Sequence, residues 1–146
     1  MIHHPLIWLK RLRHRKGYGV HSPFAYDFLR DVVYEKNHYY AYEDIDKRLK
    51  GNLWQRLCQR KRERLLFRLQ NWCGERPFIH VVQWSPEVGR QLSPDAMLVL
   101  DSLQDNLTAW DMIKKDARTR VTFDLYDMGI ALFTPTLNKQ NYIVNW

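Results

Sequence analysis

Glycines in the spacing that nucleotide chemistry requires are missing from this chain. A nucleoside- or dinucleotide-binding fold places glycines directly after a strand, so that backbone approaches the ligand and a helix N-terminus faces it. Only two of the six glycines lie close together, and neither follows a predicted strand. The pattern therefore predicts no glycine-rich phosphate or nucleoside loop. The six are Gly17, Gly19, Gly51, Gly74, Gly89 and Gly129.

His21 is the first candidate site residue. It directly precedes Ser22 and Pro23, which have the residue types of an N-cap and of a first helical position. A histidine near a helix N-terminus can serve a binding or catalytic site. Alternatively, its ring fixes the turn through hydrogen bonds. The sequence favours this structural role and leaves both open.

Metal and disulfide chemistry have little support. Cys58 and Cys73 fall in one predicted helix, whose rise separates them by about 22 Å, far beyond the reach of a disulfide. The motifs CxxC and HExxH do not occur. His3 and His4 could hold a metal loosely, but a flexible terminus explains them better. We therefore expect no metal site.

A tyrosine-rich segment and a series of basic residues allow a nucleic-acid interpretation. Tyr39, Tyr40 and Tyr42 fall in a predicted loop, where their rings could stack on bases. The basic residues after them lie mostly on a long amphipathic helix, so a solvated helix surface is the simpler interpretation. The series comprises Lys47, Arg48, Lys50, Arg56, Arg60, Lys61, Arg62, Arg64 and Arg68.

Length and composition indicate a single domain, 1–146. Of the 146 residues, 45% are hydrophobic, which is typical of a globular chain. Residues 1–76 carry 17 Lys and Arg against 8 Asp and Glu, whereas 77–146 carry 6 against 8. This divides the domain into a basic helical region and an α/β region. No apolar run reaches the ~18 residues of a membrane span and no signal-peptide pattern is present, so we expect a cytoplasmic location.

Helical periodicity dominates the basic region. Residues 5–15 predict a short amphipathic helix whose apolar arc contains Leu6, Trp8, Leu9 and Leu12. We favour docking of this helix on the domain or on a second subunit. The alternative is peripheral membrane contact, because aromatic and basic residues are typical of interfacial helices. Apolar stripes predict two further helices, over 23–35 and 52–73.

Strands alternate with helices after residue 77. Short helices are predicted over 86–92 and 107–117, and Tyr126–Gly129 has the residue types of a turn between two strands. This alternation predicts an α/β fold. The predicted strands are 78–83, 96–100, 121–125, 130–133 and 142–146.

Several segments resemble bacterial class I S-adenosylmethionine-dependent methyltransferases, as found in Bacteroidetes. Lys16–Phe28, with the core GVHSPFAYDF, is similar to the opening of these proteins. Leu65–Leu69 resembles the helix that leads into their first cofactor strand. Leu98–Asp101, Arg120–Phe133 and Lys139–Asn145 are similar to their closing strand, hairpin and strand. Together the matching segments cover about half of the chain.

The chain departs from this family where the cofactor binds. In class I methyltransferases an acidic-Gly-x-Gly-type loop after the first strand cradles the methionine part of the cofactor, and an acid ending the second strand binds the ribose. Here the corresponding strand ends in VQWSP, residues 82–86, with neither glycine nor acid. About 70 residues follow Arg76, enough for two or three βα units of ~30 residues. The resemblance therefore implies an incomplete Rossmann-like methyltransferase sheet with a C-terminal β-hairpin.

Asp101 is the second candidate site residue. The resemblance matches it to an acidic residue at the end of a late strand, where ligands of open α/β sheets bind. A base or metal ligand is one role for such an acid, and capping the following loop is the simpler one. Family members often carry a second acid and a histidine just beyond this position, whereas this chain has Ser102, Leu103 and Gln104.

The resemblance and the departure together predict a methyltransferase-like protein that is a non-catalytic binding or assembly partner. No catalytic, cofactor-binding or metal residue is predicted beyond the candidates His21 and Asp101. The expected partner is a second copy or a full-length relative, bound at the sheet edge that missing strands leave open. One alternative is an active methyltransferase that binds S-adenosylmethionine in an atypical or partner-completed site. The other is a basic nucleic-acid-binding module.

Overall fold

A five-stranded mixed sheet organises the computed structural model, which describes residues 5–14 and 19–146. The strand order is β1-β2-β4-β3-β5. Four strands run in one direction, and β4 is antiparallel to both of its neighbours, β2 and β3. β1 and β5 are therefore the two edges of the sheet. The strands are β1 Phe78–Val81, β2 Met97–Asp101, β3 Val121–Asp124, β4 Met128–Leu132 and β5 Gln140–Ile143.

Six α-helices accompany the sheet within the described ranges. The second continues as a π-helix over Leu29–Val33, and 3-10 turns occupy Leu12–His14 and Leu103–Asn106. The α-helices are α1 Pro5–Lys10, α2 Pro23–Phe28, α3 Ala41–Arg48, α4 Leu53–Cys73, α5 Pro86–Gln91 and α6 Leu107–Lys115.

Capping residues determine where the main helices begin. The Ser22 side chain accepts a hydrogen bond from the backbone N–H of Ala25 at the start of α2. Asn52 and Gln55 form a reciprocal capping box at the start of α4. Gly74 ends α4 with a φ of +63°, a conformation that glycine adopts without strain.

One face of the sheet packs against α2 and α4. Phe28 of α2 and Leu65 and Leu69 of α4 share a buried cluster with Val99 of β2 and Phe123 of β3. These residues come from both sides of position 76. The basic N-terminal region and the α/β region therefore share one hydrophobic core.

The opposite face packs against α5 and α6. Leu98 and Leu100 of β2 form a second buried cluster with Trp110 and Ile113 of α6. Alternation of side chains along β2 assigns its odd-numbered residues to one cluster and its even-numbered residues to the other. This explains why β2 is apolar from Met97 to Leu100, since both of its faces are covered.

The predicted α/β class and all five predicted strands are confirmed, with shifted boundaries. β1 ends at Val81, two residues earlier than predicted, and the chain then turns toward α5. The last strand is Gln140–Ile143 and not 142–146, because β5 pairs with β3 from Gln140 onward.

The loop predicted around the tyrosines is partly wrong. Ala41–Arg48 forms α3, whose first turn contains Glu43 and Asp44, acids that interact favourably with a helix N-terminus. Tyr42 is buried, with its ring packed edge-on against Phe67. Burial of this ring against α4 stabilises a helix that the tyrosine-rich sequence did not indicate.

Docking of α1 on the domain does not use the leucines of the predicted apolar arc, and docking on a second subunit stays a prediction. Leu6, Leu9 and Leu12 are exposed, so these three side chains do not cover the domain. Arg11 makes the contact instead, with an ion pair of 2.9 Å to Asp124. Several predicted features lie outside the described residues, namely His3, His4, Arg15, Lys16, Gly17, Tyr18 and the side chain of Trp8.

Candidate functional site

The candidate site lies where the parallel strands β1 and β2 end. Open α/β sheets bind ligands at the carboxyl ends of their strands. Asp101 is the last residue of β2, and its side chain is only 4% exposed. A buried carboxylate at this end of the sheet needs partners, because an unpaired buried charge is strongly destabilising.

Arg62 and His80 supply those partners. Nε of Arg62 donates to Oδ1 of Asp101 at 3.0 Å, and a second guanidinium nitrogen donates to Oδ2 at 2.6 Å. Nε2 of His80 also hydrogen-bonds with Oδ2. Both carboxylate oxygens are therefore occupied by the protein's own side chains. We call these three residues the Asp101 cluster.

Helix geometry explains why Arg62 reaches Asp101. α4 ends at Cys73 and leads within a few residues into the start of β1, so the helix runs back along the strands. Arg62 lies eleven residues before Cys73, which corresponds to about 16 Å of helical rise. β2 spans a similar length, about 16 Å for five residues. The arginine therefore lies over the carboxyl end of β2.

Electrostatics keep the Asp101 carboxyl ionised. Burial by itself would raise the pKa of Asp101, but hydrogen bonds from His80 and Arg62, together with the Arg62 charge, outweigh burial and hold this pKa below its usual value. A carboxylate held ionised by a bidentate arginine is a weak proton acceptor. This arrangement disfavours a role for Asp101 as a general base.

Asn106 ties together the two loops that follow β1 and β2. Its amide nitrogen donates to the backbone carbonyls of Val82 and Ser102, each at 3.1 Å. Its amide oxygen accepts from the backbone N–H of Trp84 at 3.3 Å. The residues after β1, where the resemblance implies a cofactor loop, are therefore hydrogen-bonded to the loop that follows β2.

Trp84 occupies further space after β1. A β-carbon built on Gly89 of α5 would lie 3.2 Å from the Trp84 ring, so the glycine leaves room for the indole. Gly89 is the nearest glycine after β1 in the sequence. Its small size is explained by packing within the chain.

A cavity of about 270 Å³ lies between α3 and α4. Arg62 contributes to its wall as well as to the Asp101 cluster. Mixed charges line the cavity, with arginines and a glutamate, and do not select a ligand of one sign. The lining residues are Ile45, Arg48, Leu49, Gln59, Arg62 and Glu63.

The two candidate residues from the sequence are not brought together. His21 is exposed, and its side chain makes no hydrogen bond with any described residue, so the predicted locking of the turn is not seen. Asp101 does not cap the loop after it: Ser102 is the N-cap of the following 3-10 turn, which has no side-chain cap. Capping was therefore the wrong role for Asp101.

Sequence reasoning missed Arg62, His80 and Asn106. Arg62 was grouped with solvated basic residues, and His80 was read only as part of a strand. One signal was available: Asp101 directly follows the apolar run 96–100, and an acid at the end of a buried strand requires a cation from elsewhere in the chain.

Most of the basic series on α4 is engaged within the protein. Arg60 and Arg64 lie 3.2 and 2.8 Å from the carboxylate of Asp46. Arg68 donates to the backbone carbonyls of two residues at the end of the π-helix and to the hydroxyl of Tyr42. Because Tyr42 is buried, the proposed base-stacking platform loses one of its three rings.

The described residues contain neither a metal-binding cluster nor a membrane-spanning helix. Among residues 5–14 and 19–146, no group of three or more His, Cys, Asp or Glu side chains is placed to hold a metal ion. Within the same ranges no helix combines the length and apolar character needed to cross a bilayer.

Comparisons with protein-family models, curated proteins and solved structures found no match. A functional conclusion therefore depends on the residues and contacts of the chain itself.

Proposed function

We propose that this chain is a methyltransferase-like protein that lacks the S-adenosylmethionine-binding glycine loop and acts as a non-catalytic binding or assembly partner. The observation that carries the proposal is the position of β1. In the described part of the chain it pairs with β2 on one side, and no strand pairs with it on the other.

The outer side of β1 offers backbone groups for pairing. The backbone N–H of Met97 donates to the carbonyl of Pro77 at 2.8 Å. This bond shows that the backbone groups of Pro77, and of every second residue after it, point toward β2. Because alternate residues of a strand bond to the same neighbour, the backbone groups of Phe78 and His80 face away from β2. These groups can bond to a further strand.

The β1 edge also lacks the usual protection against pairing. Natural edge strands carry lysines, prolines or bulges that block association. β1 has the sequence FIHV, without proline, lysine or acid, and exposed Val82 follows it. Such an edge favours strand addition by a second chain.

Two observations support a non-catalytic role. The carboxylate of Asp101 is already bound by Arg62 and His80. The strand-end loops are tied by Asn106. A cofactor would have to displace these contacts.

The sheet topology supports the resemblance to methyltransferases. The resemblance implies that the chain closes with a strand, a hairpin and a strand. β2 is followed by the β3–β4 hairpin, and β4 inserts between β2 and β3. β5 then adds beside β3.

Cofactor binding is tested by calorimetric titration of folded protein, checked to be free of co-purified ligand, with S-adenosylmethionine and S-adenosylhomocysteine. We expect no heat of binding. Stoichiometric binding at micromolar concentration would overturn the non-catalytic assignment and favour an active methyltransferase with an atypical site.

Assembly is tested by light scattering over a concentration series, with two variants of His80. His80→Pro removes an outward backbone donor, and proline is tolerated on edge strands at such positions. His80→Ala is the matched control, because it also loses the imidazole but keeps the N–H. We expect wild type and His80→Ala to dimerise and His80→Pro to remain monomeric. A wild-type monomer at all concentrations would refute self-assembly through β1.

A further inference from the structure

A second cavity, of about 250 Å³, lies at the end of the sheet opposite the Asp101 cluster. β2 and β3 begin at this end and β4 ends there, whereas Asp101 is the last residue of β2. We call this space the Arg120 cavity. Its apolar wall residues are Pro94, Ala117, Phe133 and Pro135, and its polar wall residues are Ser93, Arg118 and Arg120.

Three hydrogen-bonded turns frame the Arg120 cavity, at 93–96, 116–119 and 134–137. In each turn the backbone N–H of the fourth residue donates to the carbonyl of the first, at 3.1 to 3.2 Å. Pro94 and Pro135 occupy the second position of their turns, where the fixed φ of proline is favoured. The walls are therefore formed by constrained backbone, which lowers the entropy cost of binding a ligand.

The charge of Arg118 is already used within the chain. Its guanidinium donates to the carboxylate of Asp116, with a closest distance of 2.7 Å. The remaining nitrogen donates to the backbone carbonyls of Gly89 and Leu92, each at 3.3 Å. Every nitrogen of this guanidinium thus has an acceptor, and Arg118 acts as a fixed part of the wall.

Arg120, by contrast, has a guanidinium without a partner. The residue is half-buried, and its side chain forms no hydrogen bond or ion pair with residues 5–14 or 19–146. The hydroxyl of Ser93, in the same wall, also has no hydrogen-bond partner within these ranges. A partly buried charge is stabilised by a counter-ion, so the cavity has an unfilled requirement for an anion.

Two acids belong to the turns that frame the cavity, and neither neutralises Arg120 at close range. Asp116 is bound by Arg118. Asp95 is exposed, does not line the cavity and forms no ion pair with Arg120. An anion bound beside Arg120 would therefore not replace a carboxylate of the protein.

We propose that the Arg120 cavity binds a small carboxylic acid with a compact apolar body, of about the size of benzoate. A guanidinium donates two parallel N–H groups to a carboxylate, and Ser93 can add a third donor. An apolar cavity of about 150 Å³ holds benzene, so 250 Å³ leaves room for the carboxylate as well. A single unpartnered arginine matches one negative charge, which favours a carboxylate over a phosphate dianion.

The Arg120 cavity shares no residue with the β1 edge or with the Asp101 cluster. The proposal is therefore independent of the assembly and of the non-catalytic role proposed above.

Nuclear magnetic resonance titration of the full ¹⁵N-labelled chain with sodium benzoate tests the proposal. We expect saturable shifts of amide signals in the three turns, with a dissociation constant of about 0.1–1 mM, as small ligands reach. Benzamide has nearly the same shape without the charge, and inorganic phosphate has charge without the apolar body. Each should bind at least about tenfold more weakly, because a hydrogen bond to a charged group or the buried ring is lost.

Two variants separate Arg120 from general positive charge. Arg120→Met should weaken benzoate binding by about tenfold or more, because the charged hydrogen bonds are lost. Arg90→Met is the matched control, since Arg90 is exposed, has no ion pair with a described residue and does not line the cavity. It should bind benzoate like wild type. Thermal unfolding checks that both are folded, and the wild-type shift map with benzamide decides the question if Arg120→Met is not.

Four outcomes would overturn the proposal. One is the absence of saturable shifts at about 10 mM benzoate, well above the expected dissociation constant. Another is a set of shifts centred on the Asp101 cluster and not on the three turns. The third is equally tight binding of benzamide or phosphate, which would remove the requirement for a carboxylate with an apolar body. The last is an equal loss of affinity in Arg90→Met, which would reduce the effect to overall charge.

Discussion

The ring of Trp110 lies directly against the backbone of Gly129. A β-carbon built on Gly129 would come within 2.7 Å of the indole. Trp110 is 2% exposed and belongs to α6, whereas Gly129 lies in β4 between Leu100 and Asp124 of the neighbouring strands. The absence of a side chain in β4 therefore sets the distance between this helix and the sheet.

Gly129→Ala should destabilise the protein by about 1–3 kcal/mol, the usual range for overpacking a tight core. Urea unfolding measures the change. Gly89→Ala is a matched control that should lose less stability than Gly129→Ala. Its β-carbon would meet the Trp84 ring at 3.2 Å, a longer distance, and alanine favours the helix there. Equal losses in both variants would contradict the close packing of Trp110.

Asp101→Asn should reduce the free energy of unfolding by about 2–3 kcal/mol. The change removes the charge that Arg62 binds, and breaking a buried ion pair costs about 3–5 kcal/mol. We place the value lower because the Arg62 side chain is 35% exposed and can be partly solvated. Asp111→Asn, at an exposed ion pair with Lys114, should have no measurable effect.

The contribution of Asp101 should disappear in acid. Its pKa is lowered in the folded protein, so the stabilisation is present above the unfolded pKa of about 3.9 and is lost as pH falls through the folded pKa. The stability difference between wild type and Asp101→Asn should therefore be constant near neutral pH and shrink below about pH 4. Urea unfolding across this range measures it, and a difference that grows in acid would contradict the ion pair.

Lys61 should show the opposite trend at high pH. Burial lowers its pKa, against raising contributions from Cys58 and Asp127. The unfolded chain then holds the proton more tightly than the folded protein, so stability rises with pH between the folded pKa and about 10.4. Wild type should gain stability relative to Lys61→Met as pH rises through this interval. A constant difference would show that Lys61 is fully solvated.

The elements of the fold were readable from the sequence because their signals are local. The apolar run 96–100 and the alternation after residue 120 predicted strands, and the stripe through Leu65 and Leu69 predicted α4. α3 was missed because its stabilisation is not local. Tyr42 packs on Phe67 of α4, a residue 25 positions away.

The site was harder to predict than the fold. The Asp101 cluster joins residues from α4, β1 and β2, and their spacing along the chain follows no motif. Strand order likewise depends on pairings between distant segments, such as β2 with β4. The sequence therefore identified Asp101 as a candidate but not the arginine and histidine that occupy its oxygens.

The fully buried apolar residues of α4 all lie in its second half, at Leu65, Leu69 and Cys73, whereas Leu53 and Leu57 near its start are exposed. Amides near Leu65 and Leu69 should exchange with solvent only on global unfolding, whereas those near Leu53 and Leu57 should exchange through local fraying. Substitutions of Leu53 and Leu57 should then leave global stability almost unchanged. One continuous helix thus combines a segment whose apolar residues are constrained by folding with a first turn at which substitution of the exposed leucines is tolerated.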